Sequence, residues 1–224
     1  MTNKKIAQAI DHAVLKPTAT KQDLIDGAAI AKKFEVASLC VRPSDIQDAA
    51  ELLKGSDVIL STVIGFPHGT TSSQTKIIES LDALNNGAKE LDVVWNIGRA
   101  KSGDYEYVKA DLVPIISFAH SHDAKVKIII ESSVLTDEEI IKACEVCNEI
   151  QPDWIKTSTG FAGGGATIET IELIKKHIDP AIQMKASGGI KSREMAEAYL
   201  ELGCTRLGLS GTADILNDKI TVGY

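Results

Sequence analysis

No apolar run in this chain reaches the roughly 20 residues that a bilayer-crossing helix needs, so a membrane role is not expected. The opening residues, Met1-Thr-Asn-Lys-Lys-Ile-Ala-Gln, lack the apolar core of a signal peptide, which makes the cytoplasm the expected location. Positive charge is not in surplus either. The 31 acidic residues outnumber the 24 basic ones, giving a net charge of −7. That balance argues against general affinity for nucleic acid or an anionic membrane, and an anionic ligand would need a local positive site. Cysteine is scarce. Cys144 and Cys147 form one C-x-x-C with no second pair, a weak zinc pattern, and on a helix they share a face and are expected to pack inward. The five histidines (His12, His68, His120, His122 and His177) form no H-E-x-x-H or comparable cluster, so a metal-dependent mechanism is not expected. No linker, low-complexity tract or short repeat divides the chain, and residues 1–224 are read as one domain.

What the chain does have is a regular alternation. Short runs rich in Val and Ile fall at 10–15, 37–41, 58–65, 90–96, 125–132, 154–159, 183–188 and 206–210, as expected for strands buried on both faces. Helical periodicity fills the gaps at 20–34, 72–86, 104–122, 136–151, 168–177 and 192–202. Thr20/Asp23, Ser44/Gln47 and Thr136/Glu139 have the spacing of helix-opening capping boxes. Eight strands with crossover helices predict a parallel α/β sheet, and this length suits a single-domain TIM (β/α)₈ barrel. An open doubly wound sheet has the same local pattern.

Two of the strands contain a lysine at their centre. Lys156 lies in Asp153-Trp-Ile-Lys-Thr-Ser-Thr-Gly160, and Lys185 in Ala181-Ile-Gln-Met-Lys-Ala-Ser-Gly-Gly189. A buried lysine is costly unless paired or neutral. If these strands are neighbours, the amines approach within about one strand spacing, roughly 5 Å. Two ammonium groups that close disfavour each other, so one pKa should fall and leave a nucleophile toward carbonyls. Asp92, in Glu90-Leu-Asp-Val-Val-Trp-Asn96, would offset the remaining charge. The alternative is a structural Lys–Asp pair with the second lysine reaching solvent.

Other polar residues gather at the predicted strand ends. Ser187-Gly-Gly189 and Gly208-Leu-Ser-Gly211 follow the seventh and eighth strands, where barrels often bind phosphate through backbone N–H groups, and Lys191 is a candidate extra charge. Asp11, His12, Asn96 and Glu131 are candidates to line the mouth or cap helices, and Ser132 and Ser133 are read as caps.

Across nearly its whole length the chain resembles the deoxyribose-phosphate aldolases. The resemblance rests on Asp11-His-Ala-Val-Leu-Lys-Pro-Thr-Ala19, Ala37-Ser-Leu-Cys-Val41, Gly65-Phe-Pro67, Glu90-Leu-Asp-Val-Val94, Asn96-Ile-Gly98, Lys156-Thr-Ser-Thr-Gly-Phe161 and Lys185-Ala-Ser-Gly-Gly-Ile190. It implies a class I aldolase on a TIM barrel, needing no metal or cofactor, that reversibly cleaves 2-deoxy-D-ribose 5-phosphate to acetaldehyde and glyceraldehyde 3-phosphate. It assigns the Schiff base to Lys156, perturbation of that amine and help with proton transfer to Lys185, and a place in the proton relay to Asp92. Through water, Asp92 is expected to take the C3 hydroxyl proton. Phosphate contacts carry over to Gly160, Gly188, Gly189, Gly208 and Ser210, and the terminal Tyr224 is a candidate proton carrier. The implied partners are the sugar phosphate and aldehydes, and a second copy in a homodimer. Ala13, His68, Trp95 and Leu209 depart from the family pattern and bear on pocket shape and phosphate affinity. Two rivals are a Schiff-base aldolase for another sugar phosphate and a non-catalytic phosphometabolite-binding barrel.

Overall fold

The computed structural model describes residues 1–221. Among these, eight strands run β1 (Ile10–Val14), β2 (Ser38–Val41), β3 (Ile59–Ile64), β4 (Glu90–Val94), β5 (Lys125–Ile129), β6 (Trp154–Lys156), β7 (Gln183–Ser187) and β8 (Arg206–Leu209). All neighbours are parallel, and β1 closes on β8 through Ile10–Leu207, Asp11–Gly208 and His12–Leu209. The sheet is therefore a closed barrel, and the open alternative is excluded.

The helices are α1 (Asn3–Ala7), α2 (Lys21–Phe34), α3 (Ile46–Leu53), α4 (Ser73–Asn85), α5 (Ile97–Lys101), α6 (Tyr105–Ser121), α7 (Asp137–Ile150), α8 (Ile168–His177), α9 (Arg193–Glu201) and α10 (Thr212–Leu216). The predicted long helices are present within a residue or two. The sequence reading misses α1, α5 and α10, because five residues are too few to show a 3.6-residue period. The capping boxes at Thr20/Asp23 and Thr136/Glu139 form as expected, each with both reciprocal hydrogen bonds. The Ser44/Gln47 box does not form. Pro43 starts a 3₁₀ turn, Ser44 sits inside it, and the Ser44 hydroxyl donates to Asp45 at 3.1 Å instead of capping α3.

The period-two alternation of the strands divides the molecule. Leu91, Val93, Val126, Ile128, Ile155, Ala186 and Leu207 are buried in the main hydrophobic cluster with Leu112, Ile115, Ala143, Ile171 and Ile174 of the helices. Asp11, Glu90, Asp92, Lys127, Lys156, Lys185 and Arg206 turn the other way and bond to one another across the barrel interior. Cys144 and Cys147 are buried in α7, where loss of solvent pushes the Cys144 thiol up to about 12 and the Cys147 thiol higher still. Among the described residues, no helix is long and apolar enough to cross a membrane.

Candidate active site

The site begins with strand register. Lys156 of β6 is the direct partner of Lys185 of β7, so both side chains leave the sheet on the same face. Each ammonium nitrogen lies 2.7 Å from the same oxygen, Oδ2 of Asp92. The two nitrogens are therefore no farther apart than twice that distance. Both lysines are buried, so neither is the solvent-reaching partner of a structural pair.

Beneath them is a layer that the sequence reading overlooked. Lys127 donates to Asp92 Oδ1 at 2.8 Å and to Glu90 at 2.5 Å. Arg206 grips Glu90 with two nitrogens, at 2.5 and 2.9 Å, and Asp11 at 2.5 Å. Lys185 also donates to Asp11 Oδ2. The signal for Lys127 was of the same kind as for Lys156. It is a charge two residues into an apolar strand, masked by Lys125 beside it at the exposed start of β5. Trp154 lies under this layer, with the Arg206 guanidinium 5.0 Å from its ring centroid.

Electrostatics separates the two lysines. Burial lowers the Lys156 pKa most, Asp92 opposes that, and Lys185 lowers it further, leaving it below the ordinary lysine value. The crowding cation anticipated from sequence is real, but loss of solvent is the larger cause. Burial also acts to lower Lys185, yet Asp11 and Asp92 outweigh it and raise that pKa. For Asp92, burial acts upward, and Lys127, Lys156 and Lys185 hold it well below the usual carboxylate range.

Above the lysines lies a small, partly open cavity of about 30 Å³ at the C-terminal ends of the strands. Its polar wall is Asp11, Lys156, Lys185, Thr159 and Ser187, and its apolar wall includes Ala13, Leu15, Cys40 and Leu209. Gly160, Gly188, Gly208 and Ser210 complete the rim. Gly189 is exposed beside it rather than lining it, and Asp92 lies beneath it. Lys191 is also exposed. Tyr224 lies outside the described residues. Among the described residues, no three His, Cys, Asp or Glu side chains converge as a metal site.

The loops around this cavity are tied to one another. Thr157 and Ser187 exchange two hydrogen bonds of 3.1 Å, and the Ser187 hydroxyl donates to the Ser158 carbonyl at 2.6 Å. Gly188 adopts φ +79°, and the Gly165 backbone packs so closely against it that a side chain at 165 would strike the Gly188 carbonyl.

A family model, that of the DeoC/LacD family aldolases, matches residues 5–211. The chain belongs to that family. A deoxyribose-phosphate aldolase of Bacillus cytotoxicus is 46% identical over 215 residues, 96% of each chain. One from Thermococcus gammatolerans is 46% identical over 218 residues, 96% of this chain and 97% of the relative. The fold superposes with a TM-score of 0.90 on a deoxyribose phosphate aldolase from Aeropyrum pernix, described as tetrameric, at 28% identity over 96% of this chain and 91% of that one.

Within this aldolase fold the four departures divide. Ala13 and Leu209 line the cavity. His68 is exposed, and Trp95 is wholly buried in the main hydrophobic cluster, so neither is a wall of the cavity. Glu131 does not line the cavity, and although it precedes the 3₁₀ turn Ser132–Val134 its side chain makes no capping hydrogen bond there. Its backbone is left-handed (φ 43°), and its buried carboxylate accepts from both the hydroxyl and the N–H of Thr159. Thr159 in turn accepts from Phe161 N–H at 3.0 Å, which fixes the loop beside Lys156. Ser132 is not the expected cap. Its buried hydroxyl has no hydrogen-bond partner among the described residues, and Thr136 opens α7. His12 is buried and bonds Thr212 through Nδ1 at 2.8 Å.

Proposed function

We propose that this aldolase cleaves 2-deoxy-D-ribose 5-phosphate reversibly to acetaldehyde and D-glyceraldehyde 3-phosphate through a Schiff base on Lys156. The supporting observation is the setting of that amine. It is buried, it faces a cavity, and its one carboxylate contact among the described residues is an oxygen shared with Lys185. A lysine made neutral by such surroundings is a nucleophile toward carbonyls.

Proton bookkeeping then follows from the two opposite pKa directions. Neutral Lys156 adds to the C1 aldehyde of the open-chain sugar. Protonated Lys185, on the same wall, donates to the departing hydroxyl, which leaves as water. Positive charge passes from Lys185 to the imine, so the charge around Asp92 is conserved. Neutral Lys185 next takes the C3 hydroxyl proton, directly or through water. The C2–C3 bond breaks, its electron pair flows into the iminium, and glyceraldehyde 3-phosphate departs. Lys185 returns the proton to C2 of the enamine. Water adds to the renewed iminium, acetaldehyde leaves, and Lys156 is again neutral beside a protonated Lys185.

This assigns Asp92 a different part from the proton acceptor expected at first. Both of its oxygens are engaged by lysines and its pKa is low, so it is a poor base and a good anchor for cations. Gly160, Gly188, Gly208 and Ser210, with Gly189 alongside, receive the phosphate in the loops after β6, β7 and β8. Binding there, away from the breaking bond, orients the substrate.

Borohydride reduction in the presence of acetaldehyde should add an ethyl group to Lys156, located by peptide mass spectrometry. A label on another lysine, or none in active protein, would overturn the assignment. A panel of sugar phosphates separates this substrate from its rivals. The same reading includes residence in the cytoplasm and a homodimer. Sedimentation giving a different stoichiometry would refute the latter.

A further inference from the structure

Ion pairing inside the barrel is uneven. Among the described residues, four bases (Lys127, Lys156, Lys185, Arg206) share three acids (Asp11, Glu90, Asp92). Lys127 reaches all three acids, at 2.5 Å to Glu90, 2.8 Å to Asp92 and 3.5 Å to Asp11. Lys185 pairs with Asp11 and Asp92, and Arg206 with Asp11 and Glu90. Lys156 touches one acid only, at an oxygen that Lys185 also holds. If every group is ionised, the buried cluster carries one uncompensated positive charge, which is costly away from bulk solvent. Release of one proton removes the excess. Arg206 cannot release it, because a guanidinium stays protonated. The lysine with the fewest carboxylate contacts loses least by doing so.

We propose that Arg206 is a positioning residue for the aldol chemistry: by occupying Glu90 and one oxygen of Asp11 from the first position of β8, it leaves the lysines one carboxylate short and makes Lys156 the base that goes without. This rests on the Schiff-base reading above and deepens it. Arg206 does not line this cavity, and Asp11 and Glu90 are the groups it shares with the lysines. The remaining strands add no competing charge. Cys40 of β2 has a thiol pKa raised by burial, so it stays neutral, and β3 offers Ser61 and Val63 in register with Glu90 and Asp92. Glu131, beyond the end of β5, is turned to Thr159.

The test is the pH dependence of acetaldehyde trapping on Lys156, read by reduction with cyanoborohydride and mass spectrometry. Arg206→Met removes a fixed cation, so the midpoint should rise by about one pH unit. Glu90→Gln removes an acid, so the midpoint should fall by a similar amount. The double variant and Arg206→Lys should both lie near wild type. A merely structural role would weaken trapping without shifts of opposite sign. If the two single variants leave the midpoint unmoved, or shift it the same way, the proposal fails. Should Arg206→Met not fold, Lys127→Met supplies the same loss of a cation, and an unshifted or lowered midpoint there overturns the proposal equally. If wild-type protein is not labelled on Lys156 at any pH, it is the Schiff-base reading that fails.

Discussion

Lys156 and Lys185 have the same side chain, adjoining strands and a shared contact on Asp92, yet their pKa values move in opposite directions. The difference lies in one further carboxylate: Asp11 reaches Lys185 and not Lys156. Replacing either lysine should therefore have different consequences. Lys156→Ala should abolish turnover and labelling while leaving the fold intact by circular dichroism. Lys185→Leu removes the proposed proton carrier and gives Asp92 more fully to Lys156. Its kcat should fall by about 10²–10⁴-fold, the usual scale of matched proton transfer. KM should change little, because the loops proposed to hold the phosphate are untouched. Steady-state kinetics checks this, and a fall in kcat of less than tenfold would remove Lys185 from the proton path.

At the scale of elements, the caps separate real helix starts from imitations. Thr136 accepts from Glu139 N–H and opens α7, so Thr136→Ala should cost about 1 kcal/mol in urea unfolding. Ser44 has the same sequence spacing but caps nothing, so Ser44→Ala should stay within about 0.5 kcal/mol of wild type. Equal losses in the two variants would contradict the assignment. A buried tie joins α4, α6 and the end of β4: Lys76 donates to Asp111 at 2.6 Å and to the Val94 carbonyl at 3.0 Å. Lys76→Met would strand Asp111 without its counter-ion, and the expected loss is about 3–5 kcal/mol by denaturant titration.

For the whole molecule, acid should act in two stages. Burial depresses the His12 pKa from 6.5 to about 4, so the unfolded chain takes up this proton before the folded one does. The stabilisation is present above about pH 6.5 and is lost as pH falls toward 4, by about 3 kcal/mol in total. For Asp11 and Asp92, burial alone would raise the pKa, but the surrounding cations hold both below the ordinary range. Their contribution is present above the unfolded carboxylate pKa of about 3.9 and drains away below it. Unfolding midpoints measured from neutral pH downward should show both stages. His12→Asn should flatten only the first, and an unchanged slope above about pH 4 would show that His12 is not its source.

Strand alternation, capping at Thr20 and Thr136, and the two lysines were legible in the sequence because each depends on near neighbours along the chain. Period and spacing are local quantities, and a charge in an apolar strand stands out wherever that strand ends up. Closure of the sheet was not local: the same pattern fits an open sheet, and only pairing of Ile10 with Leu207 decides it. Nor was the division of labour among the charges. Asp11, Glu90, Lys127 and Arg206 come from four different strands, and which carboxylate each base holds depends on the stagger of the closed barrel. That charge would be buried here follows from lysines and an aspartate set inside apolar runs. Which lysine is left with the fewest carboxylate partners depends on the closed barrel, because ion pairing acts through distances that barrel closure sets.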